Sequence, residues 1–488
     1  MKSDNGFNVD KSGSNNPEKN IIRNKKILIK NHNYKSVIDS LNAIEFAFYN
    51  ASPDKIVNKS ICLNSQFTIN GINNHCKTFD LENKSSLFVI SVGKASVKML
   101  TAILELFKEK IKNIILIMPE SQSFDKESFK KHFLLKEKII IIKSSHPIPN
   151  INSLKATKMV IQLLTKTKSS DMVIFLISGG ASSLLVSPIH NLTLNDKKTI
   201  NQFLITCGAN IREINIVRKH LSNIKGGNIL KYINNKCCVI GLILSDVVGD
   251  YLDTIGSGLT SFDESTFLDA RCILEKYSLI NMDNKSMKKV QETINLGISS
   301  KLPETLKPKE FVERDINNFI IGNNYGFCDL LIQYLRKFKY DVKYLCYEYD
   351  KQLSNFIDES KILIEKYLKK NSCILIGGEI TNTVNKKKIG KGGRNQESIC
   401  YLLDFFCNCH YDDFSVIFIG TDGIDGNSKA AGGLITPKTI DFLKRKHIDT
   451  SHYIAMHDSY NLLLRLHSNI FTGYTGTNFN DIYLFVRK

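Results

Sequence analysis

The chain contains, at residues 87–96, the run Leu87-Phe88-Val89-Ile90-Ser91-Val92-Gly93-Lys94-Ala95-Ser96. Its first six residues form an apolar segment of strand length, and a helical pattern follows from Ser96 to Leu106. The glycine between them permits a tight turn. A strand that is apolar at almost every position is typical of a parallel sheet with both faces covered. This run therefore predicts a strand, a turn and a helix of an α/β fold.

The same pattern recurs along the chain. Apolar runs of strand length lie at residues 114–118, 139–142, 172–177 and 239–244, with helical segments between them. Strands that alternate with helices predict a Rossmann-like, doubly wound parallel sheet. A second α/β series is expected from Phe319-Ile320-Ile321 onward, with further runs at 373–376 and 416–419.

The length of 488 residues is too great for one ordinary hydrophobic core and predicts two domains. Residues 1–30 are polar and are expected to form a disordered N-terminal extension. The Rossmann-like domain is expected over residues 31–300, and a C-terminal α/β domain over residues 310–488.

The net charge of +18 comes mostly from lysines spread along the chain. Such a balance can reflect nucleic acid, a membrane surface or an anionic substrate. No arginine-rich stripe is interleaved with aromatic residues, so we expect a solvated lysine surface and a small anionic substrate, with no nucleic acid and no membrane as partner. The 12 cysteines show neither disulfide nor zinc spacing, and no signal-peptide or membrane-length apolar run is present. We therefore expect a cytoplasmic protein.

Glycine-rich loops follow several of the predicted strands, where open α/β sheets bind ligands. Gly93-Lys94 precedes a helix, and backbone amides at a helix N-terminus favour an anion to which Lys94 would add charge. Ser178-Gly179-Gly180-Ala181-Ser182-Ser183 offers a second cradle of amides. A tight turn and a serine-capped helix start explain these loops equally well without a ligand.

Carboxylates occupy two further loops. Ser245-Asp246-Val247-Val248-Gly249-Asp250 and Thr421-Asp422-Gly423-Ile424-Asp425-Gly426 carry oxygen ligands of the kind that Mg²⁺ prefers. Helix capping explains each aspartate taken alone. No closing glutamate follows Asp425 at EF-hand spacing, so a calcium loop is rejected.

The loop Gly390-Lys391-Gly392-Gly393-Arg394-Asn395-Gln396-Glu397 places an arginine among glycines, which lets its guanidinium meet a phosphate closely. From the loop alone, Lys391 is as good a contact as Arg394. The P-loop spacing, the GxSxG nucleophile elbow and the protein-kinase signature are all absent from the sequence.

Taken together and in this order, the loops resemble class II glycerate 2-kinase, a two-domain family with a C-terminal MOFRL domain. The matching segments are Val92-Gly93-Lys94-Ala95, His146-Pro147-Ile148-Pro149, Ser178-Gly179-Gly180-Ala181-Ser182, Asn215-Ile216-Val217-Arg218-Lys219-His220-Leu221-Ser222, Lys225-Gly226-Gly227, Leu244-Ser245-Asp246-Val247-Val248-Gly249-Asp250, Ser257-Gly258-Leu259-Thr260, Gly377-Gly378-Glu379, residues 390–397, residues 420–426 and Thr475-Gly476-Thr477-Asn478-Phe479-Asn480-Asp481. Ala181 and Leu259 depart from the family pattern, which usually has glycine and proline there.

The resemblance implies a transferase that uses ATP and Mg²⁺ to phosphorylate D-glycerate at its 2-hydroxyl, in a cleft between the two domains. It implies that Lys94 and Arg394 stabilise the transferring phosphoryl group, with Lys391 a solvated neighbour. Asp246 is implied as a catalytic residue, and Asp246 and Asp422 as candidate metal ligands. Which of Asp246, Asp250, Asp422 and Asp425 binds metal and which accepts the hydroxyl proton stays open.

The substrate carboxylate would suit Arg218 or the amides of residues 178–183. The full set of implied substrate- and nucleotide-binding positions is Gly93, Ser178, Gly179, Gly180, Ser182, Arg218, Lys225, Asp250, Glu379, Asn395, Glu397, Asp422, Asp425 and Asn478. A monomer or a homodimer is expected.

Two other functions remain as alternatives. An NAD(P)H-dependent hydroxypyruvate reductase needs a GxGxxG turn with an acidic residue about 20 positions on, and neither Gly93 nor Gly179 opens one. A non-enzymatic binding protein that uses the charge of +18 would retain nucleic acid in a salt-sensitive way.

Overall fold

A computed structural model describes residues 20–63, 67–72, 75–81, 83–133, 138–280, 282–383 and 390–488. The strands are, in chain order, β1 (Ile61–Leu63), β2 (Phe67–Asn70), β3 (Cys76–Phe79), β4 (Leu87–Val92), β5 (Ile111–Pro119), β6 (Ile139–Ser144), β7 (Met172–Ile177), β8 (Cys238–Leu244), β9 (Ile316–Gly322), β10 (Asp341–Tyr349), β11 (Ser372–Gly378), β12 (Phe414–Gly420), β13 (Gly432–Ile435), β14 (Asn469–Ile470) and β15 (Asp481–Arg487).

The α-helices in the same part of the chain are α1 (Lys25–Asn31), α2 (Lys35–Asn50), α3 (Pro53–Ser60), α4 (Ser96–Phe107), α5 (Lys126–His132), α6 (Ile151–Leu164), α7 (Ala181–Leu184), α8 (Leu194–Thr206), α9 (Ile211–His220), α10 (Phe267–Lys276), α11 (Lys285–Ile298), α12 (Pro308–Val312), α13 (Asn324–Lys337), α14 (Leu353–Tyr367), α15 (Arg394–Cys407), α16 (Pro437–Arg445), α17 (Thr450–Ala455) and α18 (Ser459–Arg465). None of these described helices has the length and apolar character needed to cross a membrane.

The first large sheet is parallel throughout and has the strand order β6-β5-β4-β7-β8-β9. Every residue of β4, β7 and β8 is buried, as expected for a sheet covered on both faces. The chain reverses its direction of winding between β4 and β7. This is the topological switch point, where doubly wound sheets bind ligands. The predicted α/β architecture is confirmed.

The second large sheet has the order β10-β11-β15-β12-β13-β14. Only β10 and β11 pair in parallel, and the C-terminal strand β15 runs antiparallel between β11 and β12. Because β11 and β12 both lie beside β15, their C-terminal ends meet at the edge where β15 begins. The loops after residues 378 and 420 and the segment before residue 481 therefore converge.

The division of the strands between the two sheets differs from the order of the predicted α/β series. The run at 316–322, expected to open the second domain, is β9 at the edge of the first sheet. Conversely, α2 near the N-terminus packs against α13 and against β12 and β15 of the second sheet. An apolar run indicates that a segment will be a strand, but its period does not say which sheet it joins. The ranges 31–300 and 310–488 thus do not follow the sheets.

The predicted disordered extension is wrong for its last residues. Residues 1–19 lie outside the described part of the chain, whereas Ile22 is fully buried. The Arg23 N–H donates to the Phe471 carbonyl at 2.7 Å, and Asn24 Nδ2 donates to the Asn469 carbonyl at 2.8 Å. These contacts with the C-terminal region could not be read from local polarity.

A helical layer of α8, α9, α10 and α11 packs around its own apolar cluster beside the first sheet. At the end of α9, the Nζ of the buried Lys219 lies 2.7 Å from Oδ1 of the buried Asp263 and 3.2 Å from Oδ2 of the half-exposed Asp253. Next to it, His220 Nε2 lies 3.1 Å from Glu304 Oε2. Burial alone would raise the pKa of Glu304, but hydrogen bonds from His220 and from the Phe267 N–H lower it to about 2. The end of α9 is therefore held by the Lys219 ion pairs and by the His220–Glu304 hydrogen bond.

Replacing Lys219 by methionine leaves the Asp263 carboxylate buried without its ammonium partner. We expect Lys219→Met to lower the free energy of unfolding by about 3 kcal/mol, measured by urea denaturation. The matched control is Lys288→Met, which removes a lysine from the exposed Lys288–Asp283 pair of 2.6 Å. This control should leave the urea midpoint unchanged, and equal shifts in the two variants would contradict the role given to Lys219.

Candidate active site

A cavity of about 1090 Å³ lies between loops of the two large sheets. Gly180, Ser182 and Asp246 line it from the first sheet, and Glu379 and Arg394 line it from the second. Arg218 of α9 lines it from the helical layer. The cavity thus collects predicted site residues from parts of the chain that are far apart in sequence.

Two loops at the switch point are locked together by backbone contacts. The Lys94 N–H donates to the Gly179 carbonyl at 2.8 Å, and the Ala95 N–H donates to Ser178 Oγ at 3.0 Å. Gly93 has a φ of 127°, and a Cβ there would lie 2.2 Å from Ser178 Oγ. Gly93 and Ser178 therefore shape the loop that carries Lys94, and neither contributes to the cavity wall.

Lys94 connects the two halves of the site. Its Nζ lies 3.3 Å from Asp422 Oδ2, and both side chains remain partly exposed. Asp246 lies beside this pair: burial raises the pKa of Asp246, and the Lys94 charge opposes that shift. Asp246 Oδ2 also accepts from Asn478 Nδ2 at 3.3 Å. A Cβ at Gly179 would lie 2.2 Å from the same oxygen, so Asp246 can occupy its place only beside a glycine.

Arg394 begins α15 and is held by two carboxylates. Its Nη1 lies 2.7 Å from Glu379 Oε1, its Nη2 donates to Asp481 Oδ1 at 3.2 Å, and its Nε bonds to Asp481 Oδ2. Burial alone would lower the pKa of Arg394, but Asp481 and Glu379 more than reverse this and raise it. Asn480 Nδ2 links the group to Asp246, since it donates to Glu379 Oε2 at 2.7 Å and to the Asp246 carbonyl at 3.0 Å.

Asp246, Glu379 and Arg394 line this end of the cavity, and Lys94, Asp422 and Asp481 lie next to them without lining it. The group holds four carboxylates and two cations. Among the described residues, no three acidic, histidine or cysteine side chains are grouped as a metal site. Mg²⁺ in phosphoryl-transfer enzymes is commonly held by one or two carboxylates together with substrate phosphates. Asp246 and Asp422 offer two carboxylates of that kind.

Asp425 does not face the cavity. Its carboxylate accepts from the N–H groups of Asn395 at 3.2 Å and Gln396 at 2.8 Å, and from Gln396 Nε2 at 2.9 Å. Burial raises its pKa to about 6, although these hydrogen bonds oppose the shift. Asp425 thus caps the first turn of α15, and Asn395 is turned toward it. The sequence suggested metal or proton chemistry for Asp425, whereas the structure engages its carboxylate in holding the helix that carries Arg394.

Of the other predicted site residues, some line the cavity and some do not. Asp250 accepts from Asn323 and lies outside the cavity lining. Lys225 is buried behind Ser182 and donates to its carbonyl at 2.7 Å. Glu397 lines the cavity and is bonded to Asn382 Nδ2 at 2.7 Å and to His457 Nδ1 at 2.8 Å.

Three site residues were missed by the sequence-based prediction. Asp481 holds Arg394, and His457 lines the cavity beside Glu397. His146 approaches Gly180, where a Cβ would lie 2.9 Å from its ring. Burial, together with the nearby Lys94 charge, lowers the pKa of His146 to about 4, so a neutral imidazole stands beside the Lys94–Asp422 pair. His146 and Asp481 lie in the segments 146–149 and 475–481 that match the family pattern, so the sequence could have indicated them. His457 lies in no such segment.

Comparison with known proteins agrees with this architecture. Residues 39–294 match the family model described as a domain of unknown function, DUF4147, and residues 372–481 match the MOFRL family. A protein of Pyrococcus horikoshii named glycerate 2-kinase is 32% identical over 83% of this chain and 88% of its own length. A protein of Agrobacterium vitis named putative hydroxypyruvate reductase is 33% identical over 71% of this chain and 76% of its own length.

A solved structure has the same fold. The crystal structure of a glycerate kinase from Thermotoga maritima superposes with a TM-score of 0.75 at 29% identity, and the match covers 92% of this chain and 98% of that one. The paired domain matches and the shared architecture extend over most of both molecules. The chain therefore belongs to the family of two-domain proteins, with a DUF4147 domain followed by a MOFRL domain, that includes the glycerate 2-kinases.

Proposed function

We propose that this protein transfers the γ-phosphoryl group of ATP to the 2-hydroxyl of D-glycerate. The observation that carries the proposal is the Lys94–Asp422 pair of 3.3 Å, which joins loops of the two sheets beside Asp246. Phosphoryl transfer requires positioning and charge compensation and little covalent chemistry from the protein. The relatives named glycerate 2-kinase support the choice of acceptor.

In this proposal the side chains around the switch point orient the reactants. Lys94 would contact the transferring group, and Arg394 would stabilise its charge once one of its two carboxylates yields to the phosphate. Mg²⁺ held by one of Asp246 and Asp422 would neutralise phosphate charge. The carboxylate of this pair that is left free of metal would accept the hydroxyl proton.

The cavity itself suits two ligands. Its volume of about 1090 Å³ is slightly above the usual range for small-molecule sites, so a nucleotide and a three-carbon acid can be accommodated together. The turn after β4 is less suited to a dinucleotide, because the Lys94 N–H is already bonded to the Gly179 carbonyl. That bond removes a donor which a pyrophosphate in the reductase alternative would use.

The reaction is tested by incubation with ATP, Mg²⁺ and D-glycerate, with the product coupled to enolase in the presence and absence of phosphoglycerate mutase. We expect ADP formation that depends on glycerate and needs no mutase, as for 2-phosphoglycerate. A requirement for mutase would move the product to the 3-phosphate. NADH oxidation with hydroxypyruvate in the absence of ATP, without kinase activity, would favour the reductase instead.

Lys94 and Arg394 are proposed to contact the transferring phosphoryl group, whereas Lys391, in the same loop as Arg394, is not. We expect Lys94→Met and Arg394→Met each to lower kcat by about 10³-fold, by analogy with arginine fingers, because charge on the transferring group is no longer compensated. Lys391 is exposed and only three residues before Arg394, the first residue of α15, so Lys391→Met is the matched control and should retain activity. Steady-state kinetics would contradict the assignment if Lys391→Met and Arg394→Met were equally impaired.

The Gly179→Ala variant tests whether activity depends on the position of the Asp246 carboxylate. An alanine Cβ would lie 2.2 Å from Asp246 Oδ2, so the carboxylate must move. We expect Gly179→Ala to lower kcat by about 10²-fold with an unchanged circular dichroism spectrum, because small displacements of a reacting group have large effects. Gly326→Ala serves as the control, since a Cβ there would meet its nearest atom at 3.6 Å. Full activity in Gly179→Ala would argue against a reactive role for Asp246.

A further inference from the structure

Three cations meet at the wall of the cavity formed by the helical layer. Lys197 lies on α8, Arg218 on α9, and Lys225 in the turn that follows α9. Lys197 and Lys225 are buried, and Arg218 is half-buried and lines the cavity. Within the described part of the chain, no carboxylate lies within 4.0 Å of any of the three. We call these three residues the cation cluster.

The guanidinium of Arg218 is held in place through its Nε. Its Nε donates to Asn201 Oδ1 of α8 at 2.8 Å. Among the described residues, neither terminal nitrogen of Arg218 has a hydrogen-bond partner. An arginine held through Nε presents its two terminal N–H groups as a planar fork, which matches the two oxygens of a carboxylate or phosphate.

Lys225 connects the cation cluster to other polar groups of the wall. Its Nζ donates to the Ser182 carbonyl at 2.7 Å and to Ser257 Oγ at 3.4 Å. Ser257 Oγ in turn bonds to Asn215 Oδ1 at 3.1 Å and to Ser182 Oγ at 2.9 Å. Ser182 and Asn215 both line the cavity, so the buried Lys225 side chain fixes two polar groups near Arg218.

Lys197 binds carbonyl groups at the C-terminal end of α9, close to Arg218. Its Nζ donates to the Leu221 carbonyl at 2.9 Å and to the Arg218 carbonyl at 3.4 Å, at the C-terminal end of α9. Burial lowers the pKa of Lys197 to about 7, and burial with the charges of Lys197 and Arg218 lowers the pKa of Lys225. Positive charge on these two lysines is therefore disfavoured, because no carboxylate of the described residues compensates it.

The cluster contrasts with the other cations of the site. Lys94 has Asp422, Arg394 has Asp481 and Glu379, and the neighbouring Lys219 has Asp263 and Asp253. A cation removed from water without a partner carries a desolvation penalty of several kcal/mol, so buried charges are normally paired. Here the open side of Arg218 is the cavity, where a bound anion would supply the missing charge.

We propose that Arg218 binds an oxyanion group of a ligand in the cavity through both terminal nitrogens, and that Lys225 positions the adjacent Ser182 and Asn215. The oxyanion is the carboxylate of the acceptor or a phosphate of the nucleotide. This inference rests on the proposed function for the identity of these two ligands. It assigns the predicted anion contact to the Arg218 fork and not to the amides of residues 178–183.

The test compares Arg218→Lys and Arg218→Met with Arg271→Met, which removes an arginine from the exposed Arg271–Glu275 pair of α10. We expect the Arg218 variants to raise one KM by about 10- to 100-fold, as for loss of charge-assisted hydrogen bonds, with a much smaller change in kcat. A rise in the KM for D-glycerate identifies the carboxylate, and a rise in the KM for ATP identifies the phosphates. Arg271→Met should leave both KM values unchanged.

Calorimetric titrations separate this inference from the proposed function, because they need no turnover. D-glycerate and inorganic tripolyphosphate are titrated separately into the wild-type protein and into Arg218→Met. One of them should bind the wild type and bind the variant at least tenfold more weakly. Equal affinities in the two proteins, or no binding of either probe to the wild type, would overturn the inference even if the kinase assay succeeds.

Lys225→Met tests the positioning role. It should raise the same KM as Arg218→Met and leave the other KM unchanged, a selectivity that general loss of stability would not produce. Thermal unfolding of each variant is recorded in parallel. A Lys225→Met protein that is folded and has both KM values of the wild type would contradict the positioning role.

Discussion

The hydrogen bond from the Lys94 N–H to the Gly179 carbonyl holds the centre of the site together. It joins the loops after β4 and β7, the two neighbouring strands between which the winding of the first sheet reverses. The contact is close enough that a side chain at Gly93 would overlap Ser178, and one at Gly179 would overlap Asp246. The glycines therefore serve packing, and their packing places an ammonium and a carboxylate side by side at the switch point.

The position of β15, the last strand, brings loops of the second sheet to the Lys94–Gly179 contact. Because β15 runs antiparallel between β11 and β12, the segment before it reaches the same edge as the loops after those strands. Asp422, Glu379 and Asp481 are gathered there, and Asp425 anchors the helix that presents Arg394. Loops of both sheets thus contribute carboxylates and cations to one cluster of charged side chains. Neither sheet supplies all of them.

Charge is distributed unevenly around the cavity. The end near Lys94 and Arg394 holds an excess of carboxylates, which favours a divalent cation, whereas the wall near Arg218 holds cations without carboxylate partners. A metal-bound phosphate at one end and a second anionic group at the other would complement the two regions. The net charge of +18 gives no hint of this, because most of it is lysine on the surface and the asymmetry arises from a few buried side chains.

The sequence by itself determined the α/β class, the strands of the first sheet and the loops from which the site is built. Apolar runs such as 87–92 and 172–177 and the glycines after them are local signals, since strand burial and tight turns are properties of a few consecutive residues. Only the tertiary structure decided that β9 joins the first sheet, that α2 packs on the second, and that Asp425 faces a helix end and not the cavity. Only the fold, too, showed that Arg218 has no carboxylate partner among the described residues, while Arg394 has two. These outcomes depend on contacts between residues far apart in the chain, and no local pattern encodes which distant side chain will arrive beside a given charge.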